Sequence, residues 1–291
     1  MKSLSQSTQT LYKSKLGKLA RLGVTDLSNT SQVIQSVNSI STNLNTQKTY
    51  LQAVFHENPD PAYKSQLELL YKQLREQEYK DGTKQLTTKQ VISFISWDQL
   101  VAIRNNFSEQ LNATEQLRLL SKVKYQKKLP YKQLVLLSLY TLLPPRRIAD
   151  YLHMYCYINR PENLDTTINY YIQSERKFIF NIYKTSPVYG TQEVDIPVEL
   201  HQVIENYIIV YKIAERDSLL GYSSEENLSD AIGTLYQELT EKRVTVDIIR
   251  HSWSIHRDRQ GRTADQIKAD AVLMAHSFEQ EVRYVKDTPT E

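Results

Sequence analysis

Through the first eighty residues, apolar side chains recur every three to four positions, and the breaks between runs predict four helices. Residues 5–23 carry Leu11, Leu16, Leu19 and Leu22 at helical spacing, with Ser5 or Ser7 as a cap and Gly23 just past the end. A second helix is predicted over about 30–41. A third starts near Thr46, bears Tyr50, Leu51, Val54 and Phe55, and stops at Asn58-Pro59-Asp60-Pro61. The fourth, about 61–80, places Leu67, Leu70, Tyr71 and Leu74 on one face.

The polar stretch Lys80–Gln85 breaks the pattern, which divides the chain into a helical domain over 1–82, a linker over 83–95 and a second domain over 96–291. A new helix begins at Ser96-Trp97-Asp98, with Ser96 or Asp98 as its cap and Leu100, Val101 and Ile103 on its face. Residues 131–143 are apolar on most sides and read as a central buried helix, ended by Pro144-Pro145. Arg146 and Arg147 follow, ahead of Ile148-Ala149-Asp150-Tyr151-Leu152. Half-buried guanidinium groups need an anion, and the candidates are Asp150 or an external phosphate.

Residues 167–172 and 177–183 are rich in β-branched and aromatic side chains, and 192–197 follows a turn at 184–191. These runs predict a small antiparallel sheet with Lys184 at its last hairpin. Helices return at about 198–216, 228–241, 247–257 and 263–274. The fold class expected is mainly α with a small β insertion in the second domain.

Composition narrows the chemistry. The chain has 291 residues with 2 Trp, 6 Phe and 20 Tyr, enough for two packed cores. Its seven glycines include no GxGxxG or Walker-type loop, which disfavours a nucleotide cofactor. The single Cys156 excludes an intramolecular disulfide and a Cys-rich zinc site and fits a reducing compartment. The six His show no metal-ligand spacing, so no metal is expected. No apolar run approaches a membrane span, and MKSLSQSTQT lacks the apolar core of a signal peptide; a soluble, intracellular protein is expected. The net charge of +3 is uneven: residues 1–95 hold 12 basic and 7 acidic residues, the remainder 24 and 26. Such a basic arm suits a grip on nucleic acid, with Lys13, Lys15, Lys18, Lys48 and Lys64 available for phosphate contacts. The plainer reading of each lysine is solvated helix surface.

The densest chemistry lies at Asp247-Ile-Ile-Arg250-His251, then Met274-Ala275-His276-Ser277 and Tyr284. Arginine is a forked donor for phosphate oxygens, histidine donates near neutral pH, and a tyrosine hydroxyl serves as a nucleophile when its developing charge is stabilised. This order resembles the C-terminal signature of the tyrosine recombinases. Upstream, Arg147-Ile148-Ala149-Asp150 resembles the family's first arginine box, with Arg146 the alternative, and Lys184-Thr185 resembles its catalytic hairpin lysine. Five of six expected positions thus occur in order. The Pro-Pro-Arg-Arg-x-x-Asp-Tyr form of the first box looks most like integrases of large DNA viruses, virophages and related mobile elements.

The resemblance implies an N-terminal core-binding clamp and a C-terminal catalytic domain that close on double-stranded DNA, as a homotetramer on two recombination sites. Arg147, Arg250 and His276 would bind the scissile phosphate, Lys184 would protonate the leaving 5′ oxygen, and Tyr284 would form a 3′-phosphotyrosine. No cofactor is implied. A topoisomerase IB-like nicking-closing enzyme and an inactive DNA-binding protein of the same fold are the rival readings. Asp247 departs from the family, which usually has His or Lys there. An ionised carboxylate repels phosphate, and Asp247 reads most simply as the N-cap of the helix over 248–257. Beside it, His251 reads as a further site residue or as support for Arg250.

Overall fold

The computed structural model describes residues 4, 6–80, 85–121 and 130–288. Two compact units divide between Thr83 and Lys84. Ser5 and residues 81–84, where the expected linker begins, lie outside the described residues.

The first unit holds α1 (Gln6–Arg21), α2 (Thr30–Ile40), α3 (Leu44–Glu57) and α4 (Pro61–Lys80). The side chains of Asn29 and Asn43 accept from the backbone N–H of Gln32 and Thr46, which sets the starts of α2 and α3. Gly23 takes φ +83°, the left-handed turn that ends α1. Leu19, Val33, Val37, Tyr50, Leu51, Val54, Tyr63, Leu67 and Leu70 form the core. Of the four leucines at helical spacing, Leu19 is buried, while Leu11 and Leu22 are exposed.

The second unit begins within the stretch read as linker. Here α5 (Thr88–Ser93) is fixed by a reciprocal capping box between Thr87 and Gln90, and Leu86 and Ile95 are buried on either side. Ser96, rather than Asp98, caps α6 (Trp97–Ser121), accepting from Gln99 N at 3.3 Å. The central helix α7 (Tyr131–Leu139) is shorter than the expected 131–143: Thr141 and Leu142 both turn back onto the Ser138 carbonyl ahead of the two prolines. Then follow α8 (Ile148–Leu152), β1 (Met154–Tyr157), β2 (Asn169–Ile172), β3 (Lys177–Phe180), α9 (Ser186–Tyr189) and β4 (Gln192–Asp195).

The sheet has order β1-β2-β3-β4, with β1 parallel to β2 and the other pairs antiparallel. It is therefore mixed, not antiparallel as expected. Strand β1 has four residues and follows a five-residue helix directly, too short a segment for its alternation to stand out in sequence. Its outer edge is covered by 216–219, where Cys156 N donates to Asp217 O and Leu219 N to Met154 O.

The remaining helices are α10 (Val198–Tyr211), α11 (Glu225–Thr240), α12 (Val246–Arg259), α13 (Ala264–Leu273) and α14 (Phe278–Tyr284). With α6 and α7 they bury one continuous core that includes Leu134–Leu137, Tyr151, Phe178, Ile204, Tyr236 and Ile249. The helices fold around the sheet so that the turn after α7, the β3–β4 connection and α12–α14 meet at one place. No helix among the described residues is long and apolar enough to cross a membrane.

Candidate active site

Helix α12 starts at Thr245, whose hydroxyl accepts from Ile248 N at 3.4 Å. The N-cap is therefore Thr245 and not Asp247. Thr245 takes extended backbone angles, while Asp247 is already the second residue of the helix. That shift puts Asp247, Arg250, His251 and Ser254 on one face by their three- and four-residue spacing, and the face meets α14. Helix α14, capped by Ser277, presents Glu281 and Tyr284 back to it.

The Tyr284 hydroxyl stands between opposite charges. It accepts from Arg250 Nε at 3.1 Å and donates to Asp247 Oδ1 at 3.3 Å. Its ring lies edge-on to His251 at 4.7 Å and stacks on His276 at 5.3 Å, with the Arg250 guanidinium carbon 4.9 Å from the ring centre. Tyr284 is 7% exposed and Arg250 2%.

Arg250 is held by backbone. Nη1 donates to Pro145 O at 2.6 Å and to Met274 O at 3.3 Å. Nη2 lies 2.7 Å from His276 Nδ1. A guanidinium can only donate, so Nδ1 of His276 is the acceptor and its proton sits on Nε2, which donates to Glu281 Oε2 at 3.0 Å. His251 is fixed likewise. Its Nδ1–H donates to the Tyr284 carbonyl at 2.8 Å, and its Nε2 accepts from Gln90 Nε2 at 3.0 Å. Burial lowers the pKa of both imidazoles, which agrees with the neutral tautomers their partners require.

Behind this layer lies a buried ionic lattice. Glu281 accepts from Ser254 Oγ at 2.9 Å and Arg262 Nη1 at 2.7 Å, while Arg262 also pairs with Asp270. Burial alone raises the Glu281 carboxyl, but the hydrogen bonds from His276 and Arg262 outweigh it and hold the group below the usual carboxylate range.

Arg146 and Arg147 divide. Arg146 Nε pairs with Asp150 Oδ2 at 2.8 Å, and its guanidinium carbon lies 3.9 Å from the Phe180 ring centre. Asp150 is thus the partner of Arg146 and not, as the sequence suggested, a companion of Arg147. Arg147, the N-cap residue of α8, is half-buried and donates to the Ala275 carbonyl at 2.7 Å. Its pKa is lowered by burial and by the like charge of Arg250. Among the described residues neither Arg147 nor Arg250 has a carboxylate within ion-pair distance. The two guanidiniums are close enough to act on each other's charge, and their partners are neutral: backbone carbonyls for both, with His276 and the Tyr284 hydroxyl added for Arg250. Such a pair of forked cations is chemically suited to an oxyanion.

Lys184 is exposed and has no hydrogen bond or ion pair among the described residues. Its neighbour Thr185 ties the loop to the site, donating to the same Ala275 carbonyl at 2.8 Å. In the first unit, Lys15 lies 4.9 Å from the Tyr50 ring centre, and Lys48 bonds Asn45 at 2.9 Å and approaches the Tyr71 ring at 5.7 Å. Lys13, Lys18 and Lys64 are exposed.

Sequence reasoning did not single out Glu281, Arg262 or Gln90. Gln90 carries a signal, the Thr87-x-x-Gln90 capping box, whereas Glu281 is marked only by standing three residues before Tyr284.

No protein-family model matches the sequence, and no curated protein matches it. Among solved structures it is similar to the crystal structure of XerA recombinase, with 11% sequence identity and a TM-score of 0.44; the match covers 98% of this chain and 88% of that chain.

Proposed function

We propose that the chain is a tyrosine-type DNA strand transferase, a recombinase or integrase that cuts and rejoins double-stranded DNA through Tyr284. The observation that carries the reading is the pair of guanidiniums, Arg147 and Arg250, without carboxylate partners among the described residues, beside a tyrosine hydroxyl that Arg250 Nε already touches. A phosphodiester drawn to these two charges has its non-bridging oxygens on the arginines and its phosphorus within reach of Tyr284 Oη. Attack forms the Oη–P bond and breaks the P–O5′ bond. Lys184, on the loop anchored by Thr185, then protonates the departing 5′ oxygen. The resulting 3′-phosphotyrosine keeps the bond energy for rejoining to a second 5′ hydroxyl.

In this reading His276 acts through Arg250, as a positioning residue, because its Nδ1 is filled by Nη2 and its Nε2–H by Glu281. The exposed lysines of the first unit contribute phosphate contacts, and the substrates are two sites joined in a homotetramer. The Arg-box resemblance favours integration or excision of a viral or mobile element.

Incubation with a nicked suicide duplex tests the proposal. Expected is a covalent protein–DNA adduct that maps to Tyr284 and is absent in Tyr284→Phe. An intact wild-type fold with no adduct overturns it. Relaxation of supercoiled DNA without joining of partner sites would instead support the topoisomerase reading.

A further inference from the structure

We propose that Asp247 is the base of this site: it takes the hydroxyl proton of Tyr284 as the Oη–P bond forms. The inference rests on the strand-transfer reading and adds a step to it. A phenol attacking phosphorus must shed its proton, and among the described residues the groups packed around Tyr284 leave one acceptor. Arg250 Nε faces the hydroxyl but can only donate. His276 has Nδ1 occupied by Arg250 Nη2 and carries its proton on the Nε2 that faces Glu281. His251 turns Nδ1–H to the Tyr284 carbonyl and fills Nε2 from Gln90. Asp247 Oδ1 accepts from the hydroxyl at 3.3 Å.

The position also resolves the electrostatic objection to an acid here. An ionised carboxylate repels the incoming phosphate, but the proton taken from Tyr284 neutralises Asp247 as negative charge builds on the phosphoryl oxygens. Its side chain is 58% exposed, so the carboxylate remains hydrated on the side away from the tyrosine. Its other oxygen lies 3.6 Å from His251 Nε2. Proton and bond accounting closes: Tyr284 gives its proton to Asp247 and its oxygen to phosphorus, while the 5′ oxygen leaves with a proton from Lys184. In the rejoining step Asp247 returns the proton to the departing tyrosine oxygen.

The test measures the rate of adduct formation by the full chain on nicked duplexes with oxygen or sulfur at the 5′ bridging position. A thiolate leaves without a proton, so sulfur removes the need for the acid but not for the base. Asp247→Asn, which keeps size and an exposed polar group, is expected to slow adduct formation about 100-fold on both substrates. Lys184→Ala is expected to be slow on oxygen and restored on sulfur. Incorporating the more acidic fluorotyrosine at position 284 is expected to recover much of the Asp247→Asn loss. An Asp247→Asn rate equal to wild type overturns the proposal, as does a defect that sulfur repairs or fluorotyrosine leaves untouched. If wild type forms no adduct at all, the strand-transfer reading fails and this inference with it.

Discussion

Glu281 holds His276 in a single tautomer: its Oε2 lies 3.0 Å from Nε2, leaving Nδ1 to accept from Arg250 at 2.7 Å. The chain Glu281–His276–Arg250–Tyr284 thus runs from a fully buried carboxylate to the hydroxyl of the candidate nucleophile. Glu281→Ala removes the buried partner of Arg262 and is expected to destabilise the unit by about 3–5 kcal/mol. Glu281→Gln preserves shape and one acceptor for Nε2–H, so it is expected to cost less while reducing adduct formation. Urea unfolding measures the first effect. Side-chain nitrogen NMR of His276 reads the tautomer directly, and a proton on Nδ1 in wild type would contradict the assignment.

The two adjacent arginines are expected to separate by phenotype. Arg146→Ala leaves Asp150, which is 0% exposed, as an unpaired buried carboxylate, a loss of about 3–5 kcal/mol. Arg147→Ala removes one bond to a carbonyl and is expected to cost about 1 kcal/mol while abolishing adduct formation. Thermal unfolding together with the suicide-substrate assay distinguishes them. A stable, active Arg147→Ala would remove Arg147 from the proposed phosphate site.

These results mark where sequence was sufficient. The four helices of the first unit were legible because each has several turns of apolar periodicity and polar or proline breaks between them. Arg147, Arg250, His276 and Tyr284 were read together because their order resembles a known signature, not because any periodicity links them. What escaped depends on a single turn of helix or on contact across the fold. Asp247 reads as a cap until Thr245 is seen to occupy that place, one hydroxyl deciding between the two. The Arg146–Asp150 pair follows from i,i+4 geometry on the short α8, which a sequence with two consecutive arginines leaves ambiguous. Helix α14 has seven residues, too few for periodicity to register, and it alone brings Glu281 beneath His276.

Acidification is expected to weaken the second unit. Burial lowers the pKa of His251 and His276, so between their folded values and about 6.5 the unfolded chain binds protons that the folded chain does not. Stability therefore falls as pH drops through 6.5, by at most about 1.4 kcal/mol per pH unit for each histidine. Glu281, also lowered, adds to the loss in the carboxylate range; Asp150, raised by burial, opposes it there. Urea midpoints at pH 7.5 and 5.5 measure the slope; a flat profile would show that folding leaves the imidazole affinities unchanged, and a rise in stability on acidification that the folded state favours the charged rings.

Cys156 supplies an independent probe of the same unit. It is 2% exposed, and burial, followed by the nearby Glu205 and Asp217 charges, pushes its thiol up to about 12. A thiol reagent at pH 8 is expected to label it only after unfolding, so labelling rates report opening of the sheet edge. Rapid labelling of the native chain would contradict the buried placement of β1.

Ala275 tests how much backbone strain the site holds. Helix α13 closes with a Schellman turn: His276 N donates to Ala271 O and Ala275 N to Val272 O, both at 3.0 Å. The residue at C′ must be left-handed, and Ala275 takes φ +55°, a conformation costing an alanine about 1–2 kcal/mol. That turn aims the Ala275 carbonyl at both Arg147 and Thr185. Glycine there relieves the strain but costs about 0.5–1 kcal/mol in unfolded-chain entropy and loses a buried methyl worth about 0.8 kcal/mol. The opposing changes nearly cancel, so Ala275→Gly is expected to keep both stability and adduct formation. Ala275→Val puts a β-branched side chain in the left-handed region and is expected to lose about 2 kcal/mol or more, with the carbonyl displaced and Arg147 and the Lys184 loop released together. An Ala275→Val variant as stable and active as the parent would show that the carbonyl does not organise the site.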